Sequence, residues 1–158
     1  GRLCFGDEKM NMDQLREEIA SDEGVRLDVY LDHLGLPTVG IGHLIREADA
    51  EHGRPVGTQI TPERCRQLFA LDIVVTVEDC RALFENWDDL PEECQLILAN
   101  MAFNLGRSRL GRFLKCRAAI ANYNYDEAAT QMADSKWARQ VPNRAGRLID
   151  RMRALSDA

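Results

Sequence analysis

Residues 22–44 read DEGVRLDVYLDHLGLPTVGIGHL, and the spacing of the apolar residues changes within this stretch. Just upstream, Met12, Leu15 and Ile19 recur at three-to-four spacing, which predicts a helix from about Met12 to Glu23 with Asn11 or Asp13 as its cap. Gly24 supplies the left-handed residue that ends it. From Val25 the period falls to two: Val25, Leu27, Val29 and Leu31 alternate with Arg26, Asp28, Tyr30 and Asp32, as in a strand. His33-Leu34-Gly35 turns the chain, and Leu36 to Leu44 reads as one or two short return strands interrupted by Gly40 and Gly42. A helix that runs straight into a β-hairpin is the start of an α+β architecture.

Working outward, residues 46–59 are polar, contain Gly53, Pro55 and Gly57, and read as loop. Thr61-Pro62 is a helix start, with Thr as cap and Pro in the first helical position. The stripe Cys65, Phe69, Ile73, Val77, Cys80 and Phe84 then keeps helical period over residues 61–84. At the helical rise that is ~36 Å, enough to connect two lobes. Further helices are predicted over 91–104, 110–122, 125–135 and 143–155, separated by Gly106, Asn124 and Pro142. The chain shows no internal repeat and no low-complexity segment.

The length of 158 residues suits one domain or two small lobes, and 45% apolar with 29% charged residues is a composition that buries a core. A net charge of -6 argues against a general nucleic-acid binder. The charge is uneven: residues 107–158 carry 11 basic and 5 acidic side chains. Arg144, Arg147 and Arg151 recur there at helical spacing opposite Leu148, Met152 and Leu155, so the last helix reads as amphipathic with a solvated basic face. No apolar run reaches the ~18 residues of a membrane span. The start, Gly-Arg-Leu-Cys-Phe, lacks an initiator Met and a signal-peptide core, which leans towards a domain cut from a longer protein. Five cysteines leave at least one unpaired. Cys65 and Cys80 lie too far apart on one helix to bridge, and no Cys-x-x-Cys or histidine cluster suggests a metal, so buried free thiols are expected.

Three residues of the opening stretch carry candidate chemistry. Glu23 ends a helix, at the negative end of the macrodipole, where a carboxyl is better tolerated as the neutral acid that a proton donor must be. Asp32 lies on the polar face of the predicted strand, and Thr38, Gly40 and Gly42 share one face of the return strand. A carboxylate and a hydroxyl able to hold one water, with a second carboxyl opposite, is the equipment for glycoside hydrolysis. Each residue also has an ordinary reading, as a solvated helix-end Glu, a turn-capping Asp and a strand-favouring Thr; their joint spacing counts against all three at once. Gly40-Ile41-Gly42-His43 is not a dinucleotide fingerprint, since no third glycine or helix follows.

The run from Asp22 to Asp32, with Gly35 and Pro37 to Leu44, resembles the active-site region of the bacteriophage T4-type lysozymes. The likeness continues through Ile60-Thr61, Leu68-Phe69, Asp72, Asn100 to Gly106, Asp126 to Ala129, Ser135-Lys136-Trp137 and Pro142 to Ala145, and covers about residues 12–155. It implies a lysozyme-like α+β fold: an N-terminal tail or linker over 1–11, then one catalytic domain over 12–158. Within that domain it implies a small hairpin lobe over about 12–60, a connecting helix over 61–84 and a helical lobe over 85–155, with the cleft between lobes. The implied activity is muramidase cleavage of bacterial peptidoglycan without a cofactor. The alternatives are a lytic transglycosylase and an inactive peptidoglycan-binding module.

By the same resemblance, Glu23 matches the proton donor, Asp32 the second catalytic carboxylate and Thr38 the residue that helps position water. Gly42, Phe103 and Asn104 fall among supporting or substrate-binding positions, His43 and Asp72 match a pair joining the sheet lobe to the long helix, and Arg144 matches a basic residue close to the catalytic Glu. The segment between His43 and Thr61 is shorter than in well-known members and is expected to lack their small helix. Asn104 stands where the family often has Gln, and Trp137, with Phe103 near it in the matched pattern, reads as core rather than a sugar platform. The implied partner is peptidoglycan, with no nucleic acid and no transmembrane segment. The implied setting is a phage-encoded protein, monomeric as an isolated domain, that acts on the host wall either after release from the host cytoplasm or as part of a larger virion protein.

Overall fold

The structure, a computed structural model, describes residues 9–157. Most of the expected tail and the fifth cysteine, Cys4, lie outside the described residues. The elements run α1 (Met12–Glu23), β1 (Arg26–Leu31), β2 (Pro37–Gly40), β3 (His43–Leu44), α2 (Pro62–Leu83), α3 (Glu92–Gly111), α4 (Leu114–Ala121), α5 (Tyr125–Ala133), α6 (Lys136–Gln140) and α7 (Pro142–Ala154). The α+β, lysozyme-like class read from the sequence is the class observed: helices with one small antiparallel sheet in the order β1-β2-β3. The described residues form two compact units, one of residues Arg16–Val75 and one that takes in the described residues up to Leu15 and from Thr76 onward, so the division runs through α1 and α2.

In the first unit the sheet is irregular in a way that alternation alone does not predict. Arg26 pairs with Gly40 and Tyr30 with Thr38, so four steps along β1 span two along β2. The backbone between those pairs turns to another partner. Val29 N–H donates to Thr58 O (2.8 Å), Gly57 N–H to Val29 O (2.8 Å) and Ile60 N–H to Leu27 O (2.8 Å). The polar stretch expected as loop therefore ends by running along β1. Of the alternating apolar residues only Val29 is buried; Val25, Leu27 and Leu31 stay exposed, because a bulged strand does not keep one face towards one core. Val29 packs with Val39 and Leu68, flanked by Ile45 and Ile60.

The α2 stripe follows its sequence period closely: Cys65, Phe69, Ile73, Val77, Cys80 and Phe84 are all buried, and Thr61 Oγ1 accepts from Arg64 N–H at 3.0 Å as its cap. In the second unit α3 is buried on every side from Cys94 to Ala102, as a helix through the middle of a bundle must be. It continues past the expected end and is broken at Gly106 (φ 77°), which interrupts its carbonyl ladder. Arg109 repairs part of that break, donating to Leu105 O (2.9 Å) and Asn104 O (3.1 Å). The expected helix over 110–122 starts only at Leu114, and the short α6 carries no periodic signal of its own. The four described cysteines, Cys65, Cys80, Cys94 and Cys116, are buried thiols outside any disulfide, and burial pushes Cys94 and Cys116 up to about 12.

The basic face of the last helix is a correction. Arg144 is buried, with its Nε donating to Asn100 Oδ1 at 2.8 Å, and Arg151 pairs with Glu93, so two of the three arginines tie α7 to α3 rather than facing solvent. Leu148 and Met152 are buried, as the opposite stripe requires.

Candidate active site

The helix α1 delivers Glu23 as its final residue, and Asn11 Oδ1 caps the other end from Gln14 N–H at 3.0 Å. What receives the Glu23 side chain is backbone. A Cβ built on Gly42 would lie 2.8 Å from Glu23 Cδ and 3.2 Å from its Cγ, so the carboxyl rests directly on the turn between β2 and β3. Gly42 also has φ 61°, a conformation that L side chains rarely adopt. Both facts require glycine here.

Asp32 and Thr38 are joined through one residue between them. Asp32 Oδ1 accepts from Leu34 N–H (2.8 Å) and Leu36 N–H (2.9 Å), and its own N–H donates to Leu36 O (2.9 Å). The Thr38 hydroxyl donates to the same Leu36 O at 2.9 Å. The turn-capping reading of Asp32 is thus correct and compatible with a second role, because Oδ1 alone does the capping. Thr38 is buried and donates its hydroxyl hydrogen to Leu36 O, which leaves its oxygen with acceptor capacity only.

Tyr30 links these groups to Glu23. Its Cα pairs with Thr38 across the strands, its ring carries the Arg26 guanidinium 4.5 Å from the centroid, and Arg26 in turn pairs with Asp28. Burial raises the Tyr30 pKa first, the Glu23 and Asp32 carboxylates raise it further, and Arg26 opposes them. One phenol therefore feels both carboxylates. Sequence reading set Tyr30 on the polar strand face and assigned it nothing.

His43 is buried between two carboxylates. Nδ1 lies 2.7 Å from Asp72 Oδ2 on α2, and Nε2 lies 2.7 Å from Asp49 Oδ2 in the following loop. Burial opposes protonation, but the two carboxylates together prevail and the pKa of His43 is raised. The same loop is tied to α2 again where Arg64 Nη2 donates to Glu51 Oε1 at 2.9 Å, with the pair lowering the pKa of the buried Glu51. No helix forms between β3 and α2. Asp49, Glu51 and Arg64 were not singled out from the sequence, and no periodicity marks them.

Apart from the Asn11 cap of α1, every group so far belongs to the unit Arg16–Val75. The remaining expected residues belong to the other. Asn104 Oδ1 accepts from Trp137 Nε1 at 2.7 Å, which leaves its amide hydrogens to donate. Trp137 is buried and meets Phe113 edge to face at 6.4 Å, and Phe103 is half-buried on α3. Arg144 is held by Asn100 instead of standing as a solvated first-turn arginine.

The sequence pattern of the family described as phage lysozyme matches residues 20–154. The chain is 30% identical over 154 residues to "Probable T4-type lysozyme 2" of Dictyostelium discoideum, covering 85% of this chain and 91% of that protein. It is 28% identical over 160 aligned positions to the pre-baseplate central spike protein Gp5 of Enterobacteria phage T4, covering 90% of this chain and 28% of Gp5. It is 32% identical over 144 positions to the peptidoglycan hydrolase gp36 of Pseudomonas phage phiKMV, covering 91% of this chain and 16% of gp36. The chain thus spans nearly all of the first relative and under a third of the two phage proteins.

Proposed function

The chain belongs to the phage lysozyme family, and from that premise we propose that it is a muramidase hydrolysing the β-1,4 bond between N-acetylmuramic acid and N-acetylglucosamine in bacterial peptidoglycan. The observation that carries the reading is the unit that seats the Glu23 carboxyl on Gly42 and joins Asp32 to Thr38 through Leu36. Glu23 donates a proton to the glycosidic oxygen as the bond breaks. Water bound by Asp32 Oδ2 and the Thr38 oxygen, both acceptors, turns its lone pair towards the anomeric carbon. Asp32 takes the proton that the water loses, and the transition state has oxocarbenium character. Two carboxylates and water complete this chemistry. The two phage relatives support a phage-encoded protein acting on the host wall, within a larger virion protein or as a free lytic enzyme.

Turnover on purified cell walls with analysis of the product ends tests the reading. Reducing muramic ends are expected; anhydromuramic ends would make the protein a lytic transglycosylase, and no cleavage would make it a binding module. A water attacking from the face opposite Glu23 inverts the anomeric centre, so NMR of the first-formed product should show the α anomer. A β product would mean that Asp32 is the nucleophile.

Gly42→Ala tests the seat of the acid. The new methyl meets Glu23 and the backbone must hold a left-handed alanine, at ~1–2 kcal/mol. Turnover should fall at least about tenfold, since small misplacements of a reacting group are costly. Gly53→Ala has the same backbone demand (φ 76°) with open space around the added carbon, so it should lose comparable stability and keep its turnover. Equal activity in the two variants would show that the contact with Gly42 is unimportant.

A further inference from the structure

We propose that Asp49 is a positioning residue for the Glu23 carboxyl, acting through the His43 imidazole and the backbone of Gly42; this rests on the muramidase reading above. The carboxyl sits on Gly42, and the next residue in the chain is His43. β3 contains only His43 and Leu44, paired with Val39 and Thr38. So short a ladder is a weak anchor, and the position of Gly42 depends on what holds the His43 side chain. Two carboxylates hold it from opposite ring nitrogens, Asp72 from α2 and Asp49 from the loop, each at 2.7 Å.

Asp49 is itself fixed. Its Oδ2 accepts from Arg46 N–H at 2.7 Å, and its N–H donates to Arg46 O at 3.0 Å, which closes a tight turn around the carboxylate. Glu51, two residues on, is gripped by the Arg64 fork from α2. The chain of contacts closes on itself: α2 holds His43 through Asp72, His43 holds the loop through Asp49, and the loop returns to α2 through Glu51 and Arg64. The charged groups facing His43 are thus Asp72 on α2 and Asp49 in the loop, with Arg64 on α2 also acting on Asp49.

Only an imidazolium donates from both nitrogens; the neutral ring donates from one. Deprotonation therefore opens one side of the clamp. The sign follows from the raised folded pKa of His43. The clamp's contribution to stability is fully present below the pKa of an unfolded histidine, about 6.5, and is lost as pH rises through the folded value. Catalysis that depends on the clamp loses kcat over the same upper range, separately from any titration of the reacting carboxyls.

Asp49→Asn decides it, measured on soluble glycan fragments across pH together with the His43 ring signals in NMR. The asparagine keeps an oxygen for Arg46 N–H and removes the charge. The variant should stay folded, titrate His43 at lower pH, lose about tenfold in kcat with KM nearly constant, and shift the alkaline limb of kcat in step with His43. Asp49→Glu should restore part of that limb. Glu63→Gln removes a carboxylate from an exposed pair with Arg66 on α2 and should move none of these readouts. If Asp49→Asn lowers only the melting temperature and leaves the kcat profile in place, Asp49 is structural and the proposal is overturned. Wild-type protein that never cleaves peptidoglycan would overturn the muramidase reading and this role with it, whereas an active wild type with an unmoved variant profile overturns this role alone.

Discussion

Glu23→Gln should lower turnover on cell walls by about 10²–10⁴-fold, the usual loss when a general acid is removed, while the protein remains folded. The amide has the shape of the carboxyl and fits the same seat on Gly42, whose lack of a side chain leaves room for either group. What it lacks is the proton. Thermal unfolding should separate chemistry from structure: the substitution removes a carboxylate from the last residue of α1, where the helix dipole disfavours one by ~0.3–1 kcal/mol. The melting temperature should accordingly hold or rise slightly. A folded glutamine variant with turnover within threefold of wild type would remove Glu23 from the mechanism.

Asp32→Asn should be nearly as damaging to turnover, by about 10²-fold or more, with little change in stability. Asp32 Oδ1 accepts two turn N–H groups, from Leu34 and Leu36, and an asparagine oxygen accepts both as well. The amide therefore keeps the turn, and with it the Leu36 carbonyl that holds the Thr38 hydroxyl. It cannot take a proton from water. Asp32→Ala loses the turn contacts too and should cost about 1–3 kcal/mol in addition, at ~0.5–1.5 kcal/mol for each hydrogen bond. The pair of variants tells the capping role of Asp32 from its chemical one. If the asparagine variant keeps most of its turnover while the alanine variant loses stability, Asp32 is a turn residue only.

The proposed role of Asp49 gives the upper pH range a different meaning from these two substitutions. Glu23 and Asp32 would change the rate at every pH, whereas the clamp on His43 would change where the rate falls off. Combining Asp49→Asn with Glu23→Gln should add little, because the first acts only by placing the group that the second removes.

What the sequence determined by itself is what is written at short range. The helical period of Cys65, Phe69, Ile73, Val77, Cys80 and Phe84 placed α2 and its buried face, and Thr61-Pro62 placed its start. The change of period at Val25 and the turn at His33–Gly35 identified the hairpin, and residues of recognisable type at close spacing, Glu23, Asp32 and Thr38, drew attention to the site. Tertiary structure decided the rest. Alternation along β1 suggested one apolar face, but the pairing with residues 57–60 and the bulge against β2 left only Val29 of that face buried. The basic stripe of the last helix looked solvated until Glu93 and Asn100, 58 and 44 residues away, took up Arg151 and Arg144. Asp49 carries no periodic signal, and its importance comes from a buried imidazole that another carboxylate, 29 residues beyond that histidine, holds from the far side. Periodicity records which face of an element meets the core because backbone geometry repeats every two or 3.6 residues. Polar contacts between distant segments obey no such repeat: the resemblance supplied Asp72 as a partner of His43, and only the folded chain shows that Asp49 holds the same ring from its other nitrogen.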